Sequence, residues 1–204
     1  MRFLATLFAL LVATPVSAQP FLYWATRTDD TIARANIDGT DVNTDFITGL
    51  AQPWDVVVDD TYIYWTSQLG PAIGRARLDG TSVEPDFIDN ASGPRHLRKD
   101  DTFLYWTNNN TGSIGRARLD GSESNPEFID TGDAVLAGVA VTSDHIYWIS
   151  INTSTFVGTM GRADLDGSNP NPAFVPAADI AVFSGSMVIA GGFVYWATNS
   201  GVGR

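Results

Sequence analysis

The sequence predicts an all-β chain folded as a β-propeller of four-stranded antiparallel blades. Three observations carry this. The first is repetition: a Tyr-Trp pair recurs at Tyr23-Trp24, Tyr64-Trp65, Tyr105-Trp106, Tyr147-Trp148 and Tyr195-Trp196, in steps of 41, 41, 42 and 48 residues. A period in this range marks a radial or stacked repeat architecture. The second is that both faces of the strand bearing each pair are apolar. Tyr62 and Tyr64 point one way, Ile63 and Trp65 the other, because successive side chains of a strand alternate. Phe103, Leu104, Tyr105 and Trp106 fill the same slots in the next unit, and His145, Ile146, Tyr147 and Trp148 in the one after. A sheet with one wet face would alternate apolar with polar. Each small sheet must therefore be covered on both sides, and copies of itself set face to face around an axis provide the cover. The third is an absence: no stretch keeps a helical period over the ten or more residues a helix needs.

One unit shows the elements in order. Residues 54–59 (Trp-Asp-Val-Val-Val-Asp) form a short inner strand that ends in a polar turn. Residues 62–66 are aromatic and β-branched, which favours a second strand. Gly70-Pro71 breaks it, residues 73–78 make a third strand, and Asp79-Gly80 is a tight-turn signal between extended segments. Residues 85–88 make the fourth. The third-strand phrase, Ile73-Gly74-Arg75-Ala76-Arg77-Leu78-Asp79-Gly80, recurs letter for letter from Ile114 to Gly121, and more loosely over 32–39 and 160–167. Gly74, Gly115 and Gly161 are expected to leave room for an aromatic ring from the next sheet.

The end units are partial. The first begins at its second strand, over 21–25; the fifth has an inner strand at 187–190 and the Tyr195-Trp196 strand, then stops within the Gly-Arg phrase at 201–204. The expectation is five blades or partial blades of a ring of six, C-terminally incomplete, with roughly 60 residues of further chain on the usual range of four to eight blades. If the segment near Val188 instead completed the first unit, the ring would close with four or five blades and leave 193–198 redundant.

The bulk properties bound the partners. The chain has 204 residues, 44% of them hydrophobic, enough for a packed core. A net charge of −11 argues against nucleic acid, which calls for a cationic surface, and against an anionic membrane surface. It reads as solvation. The absence of cysteine excludes disulfides, thiol nucleophiles and thiolate metal sites. Residues 1–18 read as a signal peptide: Arg2, an apolar run over 3–13 and the small-residue site Val16-Ser17-Ala18. That run is too short to span a bilayer, and no later stretch is long enough. The propeller domain is expected over 19–204, secreted or periplasmic.

From residue 21 to 204 the repeats resemble those of the low-density lipoprotein receptor class B family, the YWTD β-propellers. The resemblance rests on Tyr-Trp followed, about ten residues on, by Ile-Gly-Arg-Ala-x-Leu-Asp-Gly. It implies six blades and, as in receptor members, protein binding through the propeller. The family's aspartate after Tyr-Trp-Thr is replaced here by Thr26, Ser67, Asn108, Ser150 and Thr198. Hydroxyl and amide groups would then supply a weaker version of the inter-blade hydrogen bonding that the resemblance assigns to that aspartate. The cysteine-rich modules that flank receptor propellers are absent, so a receptor role is not implied.

Residues that recur in every unit read as scaffold. Arg34, Arg75, Arg116 and Arg162 are expected to tie their strands to neighbouring blades through carbonyls, carboxylates or aromatic faces. Asp38, Asp79, Asp120 and Asp166 lack the spaced ligands of a calcium loop and fit hairpin turns. The informative slot is where the units disagree. The inner strand reads Trp54-Asp55-Val56-Val57-Val58 in one unit and Arg95-His96-Leu97-Arg98-Lys99 in the next. Inner strands line the channel, so Trp54, Arg95, His96 and Arg98 are the candidate ligand-binding residues, suited to an acidic or carbohydrate ligand. The competing reading is a solvated wall balanced by Asp55, Asp100 and Asp101.

No catalytic residue, metal ligand or cofactor is assigned. His96 and His145 sit in different strand slots without metal-ligand spacing, and no serine lies in a nucleophile-elbow phrase. The function expected is a binding or interaction module for a protein or carbohydrate ligand at a propeller face. The alternative is a hydrolase or lyase with a channel-centred metal whose other ligands lie beyond Arg204. Trp106 is expected in the core, so Trp106→Ala should cost about 3–5 kcal/mol, read as a lowered denaturation midpoint.

Overall fold

The computed structural model describes residues 21–70, 72–132, 135–152, 154, 157–175, 187–198 and 201–203. The leader read at 1–18, the start of the domain at 19–20 and Arg204 lie outside them. Among the described residues there are eighteen strands, in five antiparallel sheets. The first sheet holds β1 (Phe21–Thr26), β2 (Thr31–Asn36) and β3 (Asn43–Ile47). The second holds β4 (Pro53–Val58), β5 (Tyr62–Ser67), β6 (Ile73–Arg77) and β7 (Glu84–Ile88). The third holds β8 (Pro94–Lys99), β9 (Phe103–Asn108), β10 (Ser113–Arg118) and β11 (Asn125–Asp130). The fourth holds β12 (Leu136–Val141), β13 (His145–Asn152), β14 (Val157–Asp164) and β15 (Asn171–Val175). The last holds β16 (Met187–Ala190), β17 (Phe193–Thr198) and β18 (Gly201–Gly203). Each sheet is a meander of neighbouring strands, and successive inner strands β4, β8, β12 and β16 touch in that order. This is the predicted β-propeller, with complete blades in the middle and three-stranded ones at either end. β16 pairs with β17, not with the first sheet, so the closure that would leave 193–198 redundant does not form.

The blades are joined by two unlike faces. Each presents its Trp side to the blade before it and its Tyr side to the blade after. Between blades two and three, Tyr64, Ile73 and Ile88 meet Leu97, Leu104 and Trp106. Between blades three and four, Tyr105, Ile114 and Ile129 meet Leu136, Ile146 and Trp148. The same pattern joins blade one to two around Ile32, Ile47 and Trp65, and four to five around Ile149, Met160 and Met187. Trp65, Trp106 and Trp148 are 0% exposed. At the outer faces of the end blades, Trp24 is 37% and Phe193 48% exposed.

The glycines serve a different ring from the one expected. Trp65 pairs across the ladder with Gly74, Trp106 with Gly115 and Trp148 with Gly161. A methyl group on any of these glycines would land inside the indole of its own blade. The room is therefore for a ring of the same sheet, folded flat over the neighbouring strand, and not for one from the next sheet. Blade one has Ala33 opposite Trp24, and there the indole is not fully covered.

Polar groups finish the joints. Tyr23 Oη donates to the Leu78 carbonyl at 3.4 Å and Tyr64 Oη to that of Leu119 at 3.2 Å, each in the following blade. In blade three Arg116 takes this part, donating to the Leu165 carbonyl at 3.1 Å. The Asp-Gly turns lie on the outer-strand phenylalanine of the preceding blade: a Cβ on Gly121 would strike Phe87, and one on Gly167 Phe128. Both glycines also have positive φ, 86° and 83°, where side chains are disfavoured. The aspartates accept from the amide and hydroxyl two residues on, as Asp79 does from Thr81 at 2.9 and 2.6 Å. These bonds hold the carboxyls of Asp38, Asp79, Asp120 and Asp166 below their usual range. They are turn residues, as expected.

The recurrent arginines work mainly inside their own blades, a correction to the expected inter-blade role. Arg34 lies over Phe21 and Phe46, Arg75 over Tyr62 and Phe87, and Arg116 over Phe103 and Phe128, at 3.8 to 4.3 Å from the ring centres. Among the described residues, Arg116 adds the bond to the next blade described above. In the slot two residues after each tryptophan, Asn108 is well bonded. Its Oδ1 accepts from Trp106 Nε1 at 2.9 Å and from the Ser92 amide at 2.8 Å, and its Nδ2 donates to the Pro126 carbonyl at 2.6 Å. These bonds stay within blade three and its leading connection. Beside Ser67 and Ser150, Nε1 of Trp65 and Trp148 has no hydrogen-bond partner among the described residues.

Gly115→Ala should cost about 1–3 kcal/mol through overpacking against Trp106. Gly70→Ala, where an added methyl meets nothing within 4 Å, should stay within about 0.5 kcal/mol. Urea midpoints compared with wild type decide it; equal midpoints for the two variants would refute the packing account.

Candidate functional site

The inner strands carry a local irregularity that builds the site. The β4–β5 register jumps between Pro53 and Val56, and the β8–β9 register between Pro94 and Leu97. Such a bulge frees backbone groups and re-aims side chains. The threonines that follow Tyr64-Trp65 and Tyr105-Trp106 satisfy the freed amides. Thr66 Oγ1 accepts from the Asp55 amide at 3.1 Å, and Thr107 Oγ1 accepts from the His96 amide at 3.1 Å. Thr66 Oγ1 also donates to the Arg95 carbonyl at 2.6 Å, binding blade two to blade three at the bulge. Trp54 and Arg95 thus leave the regular pattern at equivalent places in adjacent blades.

The structure brings these two together and adds a residue that sequence reading did not single out. Arg95 Cζ lies 4.7 Å from the centre of the Trp54 ring. Arg27, in the β1–β2 turn, lies 5.0 Å from the same ring. Arg27 is exposed; Trp54 and Arg95 are half-buried. The group sits at the end of the propeller that carries the β1–β2 and β5–β6 loops and the blade-to-blade connections. Arg27 occupies the third position after its blade's tryptophan; Gln68 and Asn109 hold that position in blades two and three. That shared slot is the signal from which Arg27 could have been found.

Arg98 behaves differently. Its Nη1 is 2.9 Å from Asp55 Oδ2, which also accepts from the Leu97 amide at 3.0 Å. The carboxylate therefore ties the inner strands of blades two and three and neutralises Arg98. Arg98 and Lys99 face Ala140, Val141, Met187 and Ile189 around a cavity of about 290 Å³, apart from Trp54. Lys99 donates to the Asp100 carbonyl, while the Asp100 carboxylate accepts from the Thr102 and Phe103 amides and from Tyr105 Oη. Of the expected balancing acids, Asp55 serves an inner-strand cation and Asp100 serves a turn.

His96 lies between the two groups. Its pKa is pushed down to about 4, chiefly by burial; Asp55 opposes the shift, and Arg98 and Arg95 add to it. The ring is neutral at pH 7. His145 lies 3.6 Å from Asp164 and beside Tyr147, in a different blade. Among the described residues no three His, Cys, Asp or Glu side chains gather as a metal-binding group, and no helix is long and apolar enough to cross a membrane.

The class of protein defined here is a β-propeller, and comparison with solved structures bears on fold alone. The chain is similar to the nidogen/laminin complex, with 21% identity and a TM-score of 0.66 over 87% of this chain and 69% of that one. It is similar to a catalytically inactive virginiamycin B lyase from Staphylococcus aureus with quinupristin, with 17% identity and a TM-score of 0.57 over 92% and 76%. A third likeness is to the extracellular domain of a one-component system from B. thetaiotaomicron, with 12% identity and a TM-score of 0.60 over 92% and 26%. No family model and no curated protein sequence matches the chain.

The depressed His96 pKa makes stability depend on pH. Above the unfolded value near 6.5 both states are neutral and the native state keeps its full stability. As pH falls from there towards 4, the unfolded chain binds a proton that the folded one refuses, so stability is lost. His96→Gln should flatten that stretch of the stability–pH curve. A His96 ring titrating near 6.5 in the folded protein by NMR would contradict the burial.

Proposed function

We propose that this chain is an exported interaction module that binds a partner at the loop-bearing end of blades one to three. The observation that carries the reading is the bulge-positioned pair Trp54 and Arg95, at equivalent inner-strand slots where a repetitive scaffold departs from its own pattern. Scaffold positions must repeat from blade to blade, whereas a single site need not. Aromatic rings and arginines are also the side chains that dominate binding energy at protein surfaces. The charge-apolar-small order of residues 1–18 supports export. The likeness to a propeller solved in complex with laminin is consistent with a binding role.

Trp54→Ala combined with Arg95→Ala should abolish specific capture of extracellular ligands by the immobilised protein, whereas Arg118→Ala, on an exposed outer hairpin, should leave it intact. Capture is read by mass spectrometry of the bound fraction. An identical set of captured molecules on wild type and double variant would overturn the reading.

A further inference from the structure

The ion pairs among the described residues engage Arg75, Arg98, Arg118 and His145. Neither Arg27 nor Arg95 has a carboxylate within pairing distance there, although the protein carries a net charge of −11. Two guanidiniums lie over one indole instead. Stacking on an aromatic ring holds a guanidinium in place and leaves its in-plane N–H groups free. Trp54 then supports two cations. Two held cations without acids are suited to an anion.

A second observation lies beside the first. Oε1 of Gln68 and both amide atoms of Asn109 are buried without a hydrogen-bond partner among the described residues. Buried amides without partners are rare and call for an explanation. Gln68 and Asn109 are the blade-two and blade-three counterparts of Arg27. Their backbones pair with Gln52 and Gly93, residues that lead into the bulges of Trp54 and Arg95. Beside Gln68 runs a groove of about 260 Å³ lined by Gln68, Leu69, Gly70, Ala91, Ser92, Gly93 and Asn110. Its described wall is amide, hydroxyl, glycine and the small Ala91, with Leu69 70% exposed. It holds no deep apolar pocket of the kind that seats the anchor side chain of a protein partner.

We infer that the ligand of this end is an acidic glycan, a sugar polymer whose carboxylates pair with Arg27 and Arg95 and whose hydroxyls pair with Gln68, Ser92 and Asn110 along the groove. The inference rests on the binding role proposed above and specifies its ligand. The charges come from the two arginines, the hydroxyl recognition from the amides, and Leu69 offers an apolar contact for the C–H face of a sugar.

The test is a biosensor series with three immobilised polymers: polygalacturonate, poly-glutamate and neutral dextran. Wild-type protein should bind polygalacturonate in a salt-sensitive way and ignore dextran. Arg27→Gln with Arg95→Gln should weaken that binding at least tenfold, and Gln68→Ala should weaken it several-fold. Arg27→Gln alone, at an exposed turn, should keep the wild-type melting temperature and still lose affinity, which separates recognition from folding. Equal or tighter binding to poly-glutamate would replace the glycan with an acidic peptide and leave the binding role standing. Loss of all polymer binding with Trp54-dependent capture intact would overturn the glycan inference alone. Failure of both would remove the binding role as well.

Discussion

The structure depends on an indole folded flat across a glycine of its own sheet. Trp65 on Gly74, Trp106 on Gly115 and Trp148 on Gly161 each make one face of a blade smooth, apolar and fully buried. With a Cβ at the glycine the ring would stand away from the ladder, and the neighbouring blade could not close on it. The Tyr side is the complement: rings, isoleucines and an outer-strand Phe that receive the next blade's Leu-Asp-Gly turn. Arginines clamped between two rings keep that side rigid. Most of the repeated residues are therefore accounted for by one joint used again and again, which leaves the unrepeated residues as the place to look for a partner.

Much of this was legible before any coordinates. The Tyr-Trp period located the blades, and both-face apolarity required that they stack. The inner strand at 187–190 and the truncated end sheets follow the sequence reading closely. What the repeats could not reveal was which sheet supplies the ring above each glycine. Periodicity places Trp and Gly in register with one another but does not say whether they share a ladder or face across a joint. The place of the arginines is hidden for the same reason: the rings that clamp Arg75, Tyr62 and Phe87, belong to its own blade.

The candidate site was legible only in part. Trp54 and Arg95 stood out because adjacent units differ there, and the structure sets them 4.7 Å apart. Arg98 stood out equally, yet its guanidinium is committed to Asp55, 43 residues away, a pairing that depends on how neighbouring inner strands abut. Arg27 escaped notice because it lies in a polar turn of a different blade and becomes significant only when that turn folds over Trp54. The bulges were hidden for a simpler reason: one extra residue in a short strand barely disturbs the pattern but changes where its side chains point.

Because each blade carries both the socket and the plug of the same joint, a copied segment arrives already able to dock on its parent. The identity of 73–80 and 114–121 at all eight positions is what duplication of such a self-complementary unit would leave behind. The number of copies is then limited by curvature and not by chemistry. Novelty can accumulate at the bulged slots and at the position after each Tyr-Trp strand, where no neighbour demands a particular side chain.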